Sequence, residues 1–240
     1  MPTPTNTIIK TSIVSNLPAN FKHIGNEGTV SNGLTTQTDS IVDEISNKLA
    51  SSWNTFASSV TFDNAMVIGL GIGAWVGNGV GGIFSNTELS MNATNPFTGG
   101  KAGDLTDAIN SALNEQFNLW ASTYLINGVS FVGTSTALPI VPGVFTANAI
   151  PMLISAAGFG TIPIGSGLKI IANLPFITPD LTSFCNAIGD AFESNFNNWL
   201  NTSQLNAGSA TGPAAPGAGS GFGLSVGGTL LWNEIKLNIY

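Results

Sequence analysis

Ala108-Ile-Asn-Ser-Ala-Leu-Asn-Glu-Gln-Phe-Asn-Leu-Trp120 and Ala187-Ile-Gly-Asp-Ala-Phe-Glu-Ser-Asn-Phe-Asn-Asn-Trp199 are two versions of one segment. They align at a constant offset of 79 residues (Ala108 to Ala187), which continues through Thr123 and Thr202, Asn127 and Asn206, and Ser130 and Ser209. In each, apolar residues recur at intervals of four, four, four and three: Leu105, Ile109, Leu113, Phe117, Trp120, and Phe184, Ile188, Phe192, Phe196, Trp199. That spacing puts one apolar stripe on one face of an α-helix. A third copy, Ile41, Ile45, Leu49, Trp53 and Phe56, keeps the intervals at an offset of 64 (Ile45 to Ile109), with its two aromatic positions exchanged. Helix starts are expected at Ser40 with Asp43, at Asp104 with Asp107, and at Thr178-Pro179-Asp180, each pairing a cap acceptor with first-turn acids.

The repeat organises the rest of the chain. Residues 1–35 read as an extended N-terminal arm with a β-prone piece around Ile8, Ile9, Ile13 and Val14. Residues 36–240 read as a single domain of three helix-plus-loop repeats, 36–103, 104–178 and 179–240. A long Gly-, Pro- and Ala-rich stretch follows each helix. Phe131–Phe145 reads as short strands and turns, since Pro139 and Pro142 forbid a helix. Ala207–Phe222 reads as an exposed low-complexity loop, and Thr229–Tyr240 as a half-buried strand with alternating Ile235, Leu237 and Ile239. The expected fold is α+β: three repeated amphipathic helices packed together, with long Gly/Pro-rich β and loop segments. The aromatics Trp53, Phe56, Phe117, Trp120, Phe196 and Trp199 would then meet in one packing layer. A carbohydrate platform or a lipid contact is the alternative use of those rings.

Charge narrows the functional classes. The 240 residues carry six lysines, no arginine and thirteen acids, a net charge of −7. Nucleic-acid binding needs a basic footprint, which is missing. One cysteine, Cys185, and one histidine, His23, leave no material for a disulfide framework or a multi-histidine metal site, so no metal or cofactor is expected. The surface polarity comes from Asn, Ser, Thr and 29 glycines, with little charge to hold neighbours apart. Self-association or multi-copy assembly is the expected state. No basic n-region and apolar h-region open the chain, so no cleavable secretory signal is expected.

The run Asn64–Phe84 is the most conspicuous motif. Gly69, Gly73, Gly77 and Gly81 are spaced by four, as in close-packed membrane helices, and residues 66–84 have the length of a span. Asn78 inside it, and its place after the first helix, favour a loop or a glycine-rich strand with one bare face. Gly77–Gly82 satisfies G-x-G-x-x-G without the strand and helix the dinucleotide fingerprint requires. Gly223-Leu-Ser225-Val-Gly227 satisfies the nucleophile-elbow pattern, but a strand-like run follows where a helix is needed. Asp43 and Glu44, Asp104 and Asp107, and Asp190 and Glu193 read as first-turn or solvated acids. No catalytic residue is assigned.

The repeated Ala-Ile-x-x-Ala-x-x-x-x-Phe-Asn-x-Trp signature at 108–120 and 187–199, with the uncharged Asn/Thr/Gly-rich surface, resembles structural proteins of tailed-bacteriophage virions. The resemblance implies a non-enzymatic subunit, a peripheral capsid-decoration or neck/tail component. It implies symmetric copies, other virion proteins as partners, no nucleic acid and a location in the virion. A membrane-active protein using residues 66–84 and a surface module for carbohydrate are the two alternatives.

Overall fold

The structure, a computed structural model, describes residues 3–24, 30–85, 89–96, 101–123, 127–153 and 165–231. It is α+β, with five α-helices among the described residues, a closed six-stranded barrel and a second sheet. The helices are α1 (Asn6–Asn16), α2 (Thr36–Ser59), α3 (Lys101–Thr123), α4 (Ser166–Ala172) and α5 (Pro179–Thr202).

The three long helices fall where the stripes place them, with two starts corrected. Helix α2 begins at Thr36, capped by the Thr35 side chain, which accepts from the Thr38 N–H. Ser40 is inside the helix and its Oγ donates to the Thr36 carbonyl. Helix α3 begins at Lys101, so Asp104 sits in its first turn rather than at its cap. Helix α5 starts as read: Thr178 accepts from the Leu181 N–H, with Pro179 and Asp180 following.

The described residues within 1–35 are not the expected extended arm. Thr5 caps α1, and Ile9, Ile13 and Leu17 are buried at spacings of four. Helix α1 lies against α2 and α5. Tertiary cover of that stripe outweighs the mild helix penalty of β-branched residues, typically about 0.5 kcal/mol each. After it come a 3-10 turn (Ala19–Phe21) and the antiparallel pair β1 (Lys22–Ile24) and β2 (Val30–Leu34). His23 lies on β1. Helix α4, also unexpected, crosses α5 with their glycines in backbone contact; a Cβ on Gly189 would lie 2.2 Å from the Gly167 nitrogen.

The glycine-rich run resolves as strands. β3 (Thr61–Asp63) precedes it, and β4 (Met66–Leu70), β5 (Gly73–Val80) and β6 (Ile83–Ser85) occupy it. Of the two readings, loop or glycine-rich strand, the strand is what forms, and the helical span over 66–84 is corrected. Among the described residues no helix is long and apolar enough to cross a membrane. Strands and a turn fall around Pro139 and Pro142 as expected, and β7 (Asn127–Ser135) and β8 (Gly143–Ala149) pair there as a hairpin. β9 (Met152–Leu153) follows, and β10 (Gln204–Asn206) leaves the end of α5. Ala207–Phe222, expected as an exposed loop, instead supplies β11 (Ser209–Ala214) and the start of β12 (Gly221–Val226). β13 (Gly228–Leu231) ends the described chain; the expected strand over 229–240 otherwise lies outside the described residues.

The barrel closes in the order β11-β12-β4-β5-β7-β8, every neighbour antiparallel. Eight strands give an interior just wide enough for side chains, so six leave less. What fills it is a stacked pair, Trp75 on Phe145, with ring centres 4.1 Å apart and planes within 5°. Glycine makes the room. A Cβ on Gly77 would lie 2.4 Å from the Trp75 ring, one on Gly69 2.5 Å, and one on Gly79 2.7 Å from Phe131. Gly212, Gly221 and Gly223 do the same around Phe145. The second sheet, β6-β3-β13-β10-β9, lies between barrel and helices along the chain.

Candidate functional site

The six aromatics singled out in the sequence are all buried, none more than 1 % exposed. Phe56 meets Phe117 edge-on at 4.5 Å, Trp120 meets Phe196 at 4.8 Å, and Trp53 meets Phe196 at 5.5 Å and Trp199 at 5.6 Å. Phe192, one turn before Phe196, joins them 6.0 Å from Trp53. Such edge-on pairs add about 0.5–1.5 kcal/mol each beyond burial. Rings with no accessible face cannot serve as a platform for sugar or lipid; they are the core of the helical half.

A polar device beside this core was not legible in advance. Residues 89–96 run extended along α3, burying Leu89, Met91 and Ala93. Their backbone is held by three asparagines of α3. Asn118 accepts from the Leu89 N–H (3.0 Å), Asn114 accepts from Met91 (2.8 Å), and Asn110 accepts from Ala93 (2.9 Å). Asn114 and Asn110 also donate to the Met91 and Ala93 carbonyls, both at 2.9 Å. Four helical residues rise about 6 Å and two strand residues about 6.6 Å, so side chains four apart can pair with strand residues two apart. Asn114→Ala leaves one N–H and one carbonyl of Met91 unpaired at a part-buried site, and is expected to cost about 2–4 kcal/mol. Urea unfolding checks this; a cost within about 0.5 kcal/mol of wild type would show that the asparagine row does not hold the segment.

Helix α2 holds the same segment from the other side. Glu44 Oε1 accepts from the Thr94 N–H (2.8 Å) and the Thr94 hydroxyl (2.9 Å). The Thr94 backbone hydrogen bond, above all, holds the Glu44 carboxyl below its ordinary 4.5. A depressed folded-state value stabilises above the unfolded value and is lost as pH falls through the folded one. The stability difference between wild type and Glu44→Gln is therefore expected to be present at neutral pH and to close below about pH 4.5. Melting temperatures across that range measure it, and a pH-independent difference would exclude the linkage.

Several other titratable groups are tied into structure. Lys10 of α1 pairs with Asp39 (2.8 Å) and Asp43 (2.7 Å) of α2, and hydrogen bonds to both raise its pKa. Lys10 and Asp43, with Lys22, line a groove of about 530 Å3. Glu193, expected on a solvated face, instead accepts from the Gly165 (2.8 Å) and Ser166 (2.7 Å) N–H groups at the start of α4. Lys169 of α4 pairs with Glu115 of α3. Asp180 accepts from Asn20 at 2.8 Å. Burial pushes the Cys185 thiol up to about 12, so it stays protonated at neutral pH. Ser225 is buried in β12, with strand on both sides, and its hydroxyl accepts from the Ala65 N–H at 3.1 Å. That is a structural position, not a nucleophile elbow. Among the described residues no three His, Cys, Asp or Glu side chains come together to hold a metal.

The unusual surface is on the barrel. Its six strands contain no Asp, Glu, Lys, Arg or His; Asp63, on β3, reaches the end of β12, where its carboxylate accepts from the Gly227 N–H at 2.7 Å. The outward residues divide into two sides. On β12, β4 and β5 they are Phe222 and Leu224, then Met66, Ile68 and Leu70, then Val76 and Val80, all exposed. Cross-strand register makes them neighbours: Leu224 faces Met66, which faces Val80, and Phe222 faces Ile68. A groove of about 680 Å3 runs here, lined by Ile68, Leu70, Val76, Val132 and Ile150. On the other side the outward residues are mixed: Val144, Thr146 and Asn148 of β8 and Thr211 of β11. The three hairpin ends meet at the tip of the barrel, where the Gly71 N–H donates to Ala218 (2.9 Å) and the Gly217 N–H to Leu138 (3.2 Å). Ile140, at the β7–β8 turn, is 88 % exposed there. The only sequence signal for this face is the alternation of apolar residues with glycine in 66–80, which left open which side would be covered.

Compared with known protein families, curated proteins and solved structures, the chain matches none.

Proposed function

We propose that this chain is a non-enzymatic structural subunit of a multi-copy particle, a virion component at a peripheral capsid-decoration or neck/tail position. The observation that carries the reading is the segregation of charge: a helical half with the ionic groups, and a barrel with none whose outer surface is apolar on one side. A surface of that kind is poorly suited to a free monomer and well suited to lasting contact with protein neighbours. The absence of arginine from the whole chain favours a peripheral place over one that lines nucleic acid.

The reading includes a threefold internal repeat. Each long helix is followed in sequence by one barrel hairpin: α2 by β4–β5, α3 by β7–β8, α5 by β11–β12. The three hairpins follow one another round the barrel in chain order. A residue with positive φ precedes or opens the first strand of each hairpin: Asn64 (65°), Gly128 (80°) and Gly208 (76°). Asn64 and Gly128 are related by the same offset of 64 that relates the first two helices (64 + 64 = 128). Three copies of a helix-plus-hairpin unit explain why no copy could fold alone, since each hairpin needs both others to close the barrel.

The test is a detergent-free density gradient of the source material, with this chain followed by peptide mass spectrometry. Sedimentation with large particles at a fixed ratio to other structural proteins supports the reading. Recovery as a free small species, or flotation with lipid, overturns it.

A further inference from the structure

We infer that the apolar side of the barrel, on β12, β4 and β5, is where a second copy of this chain docks, outer face to outer face; this rests on the structural-subunit reading and names its first contact. The exposed side chains of Met66, Ile68, Leu70, Val76, Phe222 and Leu224, with Val80, Val226 and Val132 beside them, present on the order of 800 Å2, which matches the share of each partner in a standard stable interface. That also exceeds the largest apolar patch of an ordinary monomer, about 300–600 Å2. The area is sufficient for a dimer without help from the rest of the molecule.

Charge selects a like copy. With a net charge of −7, two copies repel wherever their helical halves approach. On the barrel two copies can touch without opposing like charges, because its strands hold none. A strongly charged partner would find no counter-charge on this face and would lose hydration in docking. A copy of the same face brings matching apolar strands, and Asn78 and Ser130, facing each other across β5 and β7, supply polar groups within it. Lipid is a poorer occupant. A membrane barrel has eight or more strands of about 9–11 residues and an apolar band all round. Here there are six strands of five to nine residues, none longer than that lower bound, and Thr146, Asn148 and Thr211 interrupt the circuit.

Sedimentation velocity of the purified chain from about 1 to 100 μM tests the inference, since a standard-sized interface sits in or below this range. Wild type is expected to associate. Ile68→Lys and Phe222→Lys place an ammonium in the contact, twice over in a two-fold interface, and are expected to raise the dissociation constant by about 100-fold or more. Both residues point outward, so circular dichroism and melting temperature should stay those of wild type; Thr146→Lys, on the mixed side, should leave association unchanged. If one lysine variant fails to fold, Ile68→Cys carrying a nitroxide gives a second reading, because Cys185 is buried and unlabelled: broadening between spins is expected on association. A wild type monomeric at every concentration, or association that survives both lysines, overturns the inference. Flotation of a monomeric wild type with phosphatidylcholine vesicles overturns it in favour of lipid. A chain that is monomeric in solution yet sediments with particles sinks this contact and leaves the structural-subunit reading standing.

Discussion

Trp120→Ala is expected to destabilise the chain by about 3–5 kcal/mol, the range for deleting a large aromatic from a packed core. Trp120 is fully buried where α3 meets α5, with its ring 4.8 Å from Phe196, 5.6 Å from Phe117 and 6.4 Å from Trp199. Those neighbours belong to a network that also reaches Trp53 and Phe56 on α2, so a cavity there is bounded by rigid rings and collapses little. Domains have about 5–15 kcal/mol in total, so the loss is a large fraction of what holds the native state. For a domain of this size the melting temperature should fall by roughly 6–20 °C. Leu119→Ala, at an exposed neighbouring position, should cost less than about 1 kcal/mol. Calorimetry of the two variants separates the outcomes: equal melting temperatures would mean that the aromatic layer does not hold the helices together.

Gly77→Ala is expected to be nearly as damaging for an opposite reason. The added methyl would lie 2.4 Å from the Trp75 ring and 2.7 Å from the Ile68 carbonyl oxygen. Trp75 cannot retreat, because its other face is stacked on Phe145, and Gly212, Gly221 and Gly223 already crowd Phe145 from beyond. Overpacking of this kind costs about 1–3 kcal/mol, and more where backbone must move. Gly73→Ala is the comparison. Gly73 has φ of 76° with open space around it, so its substitution carries the left-handed penalty alone, about 1–2 kcal/mol. The near-ultraviolet dichroism of the stacked tryptophan should change in Gly77→Ala and persist in Gly73→Ala. The reverse ranking would exclude a glycine-lined interior built to fit the ring pair.

Local signals were legible where they are self-contained. The stripe from Phe184 to Trp199 and the Thr178-Pro179-Asp180 start need only helical periodicity and the first turn's own hydrogen bonds, and α5 follows both. Helix α1 was legible in part. Thr5 and the Ile9, Ile13 and Leu17 spacing were present, but a β-branched, polar segment is helical only because α2 and α5 cover it and because Lys10 reaches Asp39 and Asp43. The Asn110, Asn114 and Asn118 row was visible as spacing, yet its meaning depends on an extended segment docked alongside.

The amino-acid sequence by itself determined the three long helices, their buried faces, the alternating bare face of the glycine run and the uncharged character of everything around it. Those properties are written in periods of 3.6 and 2 and in composition, which need no partner. Tertiary structure alone decided that most of Ser209–Phe222 is strand rather than loop, that six short strands close on one another, and that Met66, Ile68 and Leu224 end on the outside. A strand obtains its hydrogen bonds from residues remote in the chain, and which of its two faces becomes interior is settled only when the barrel closes around Trp75 and Phe145.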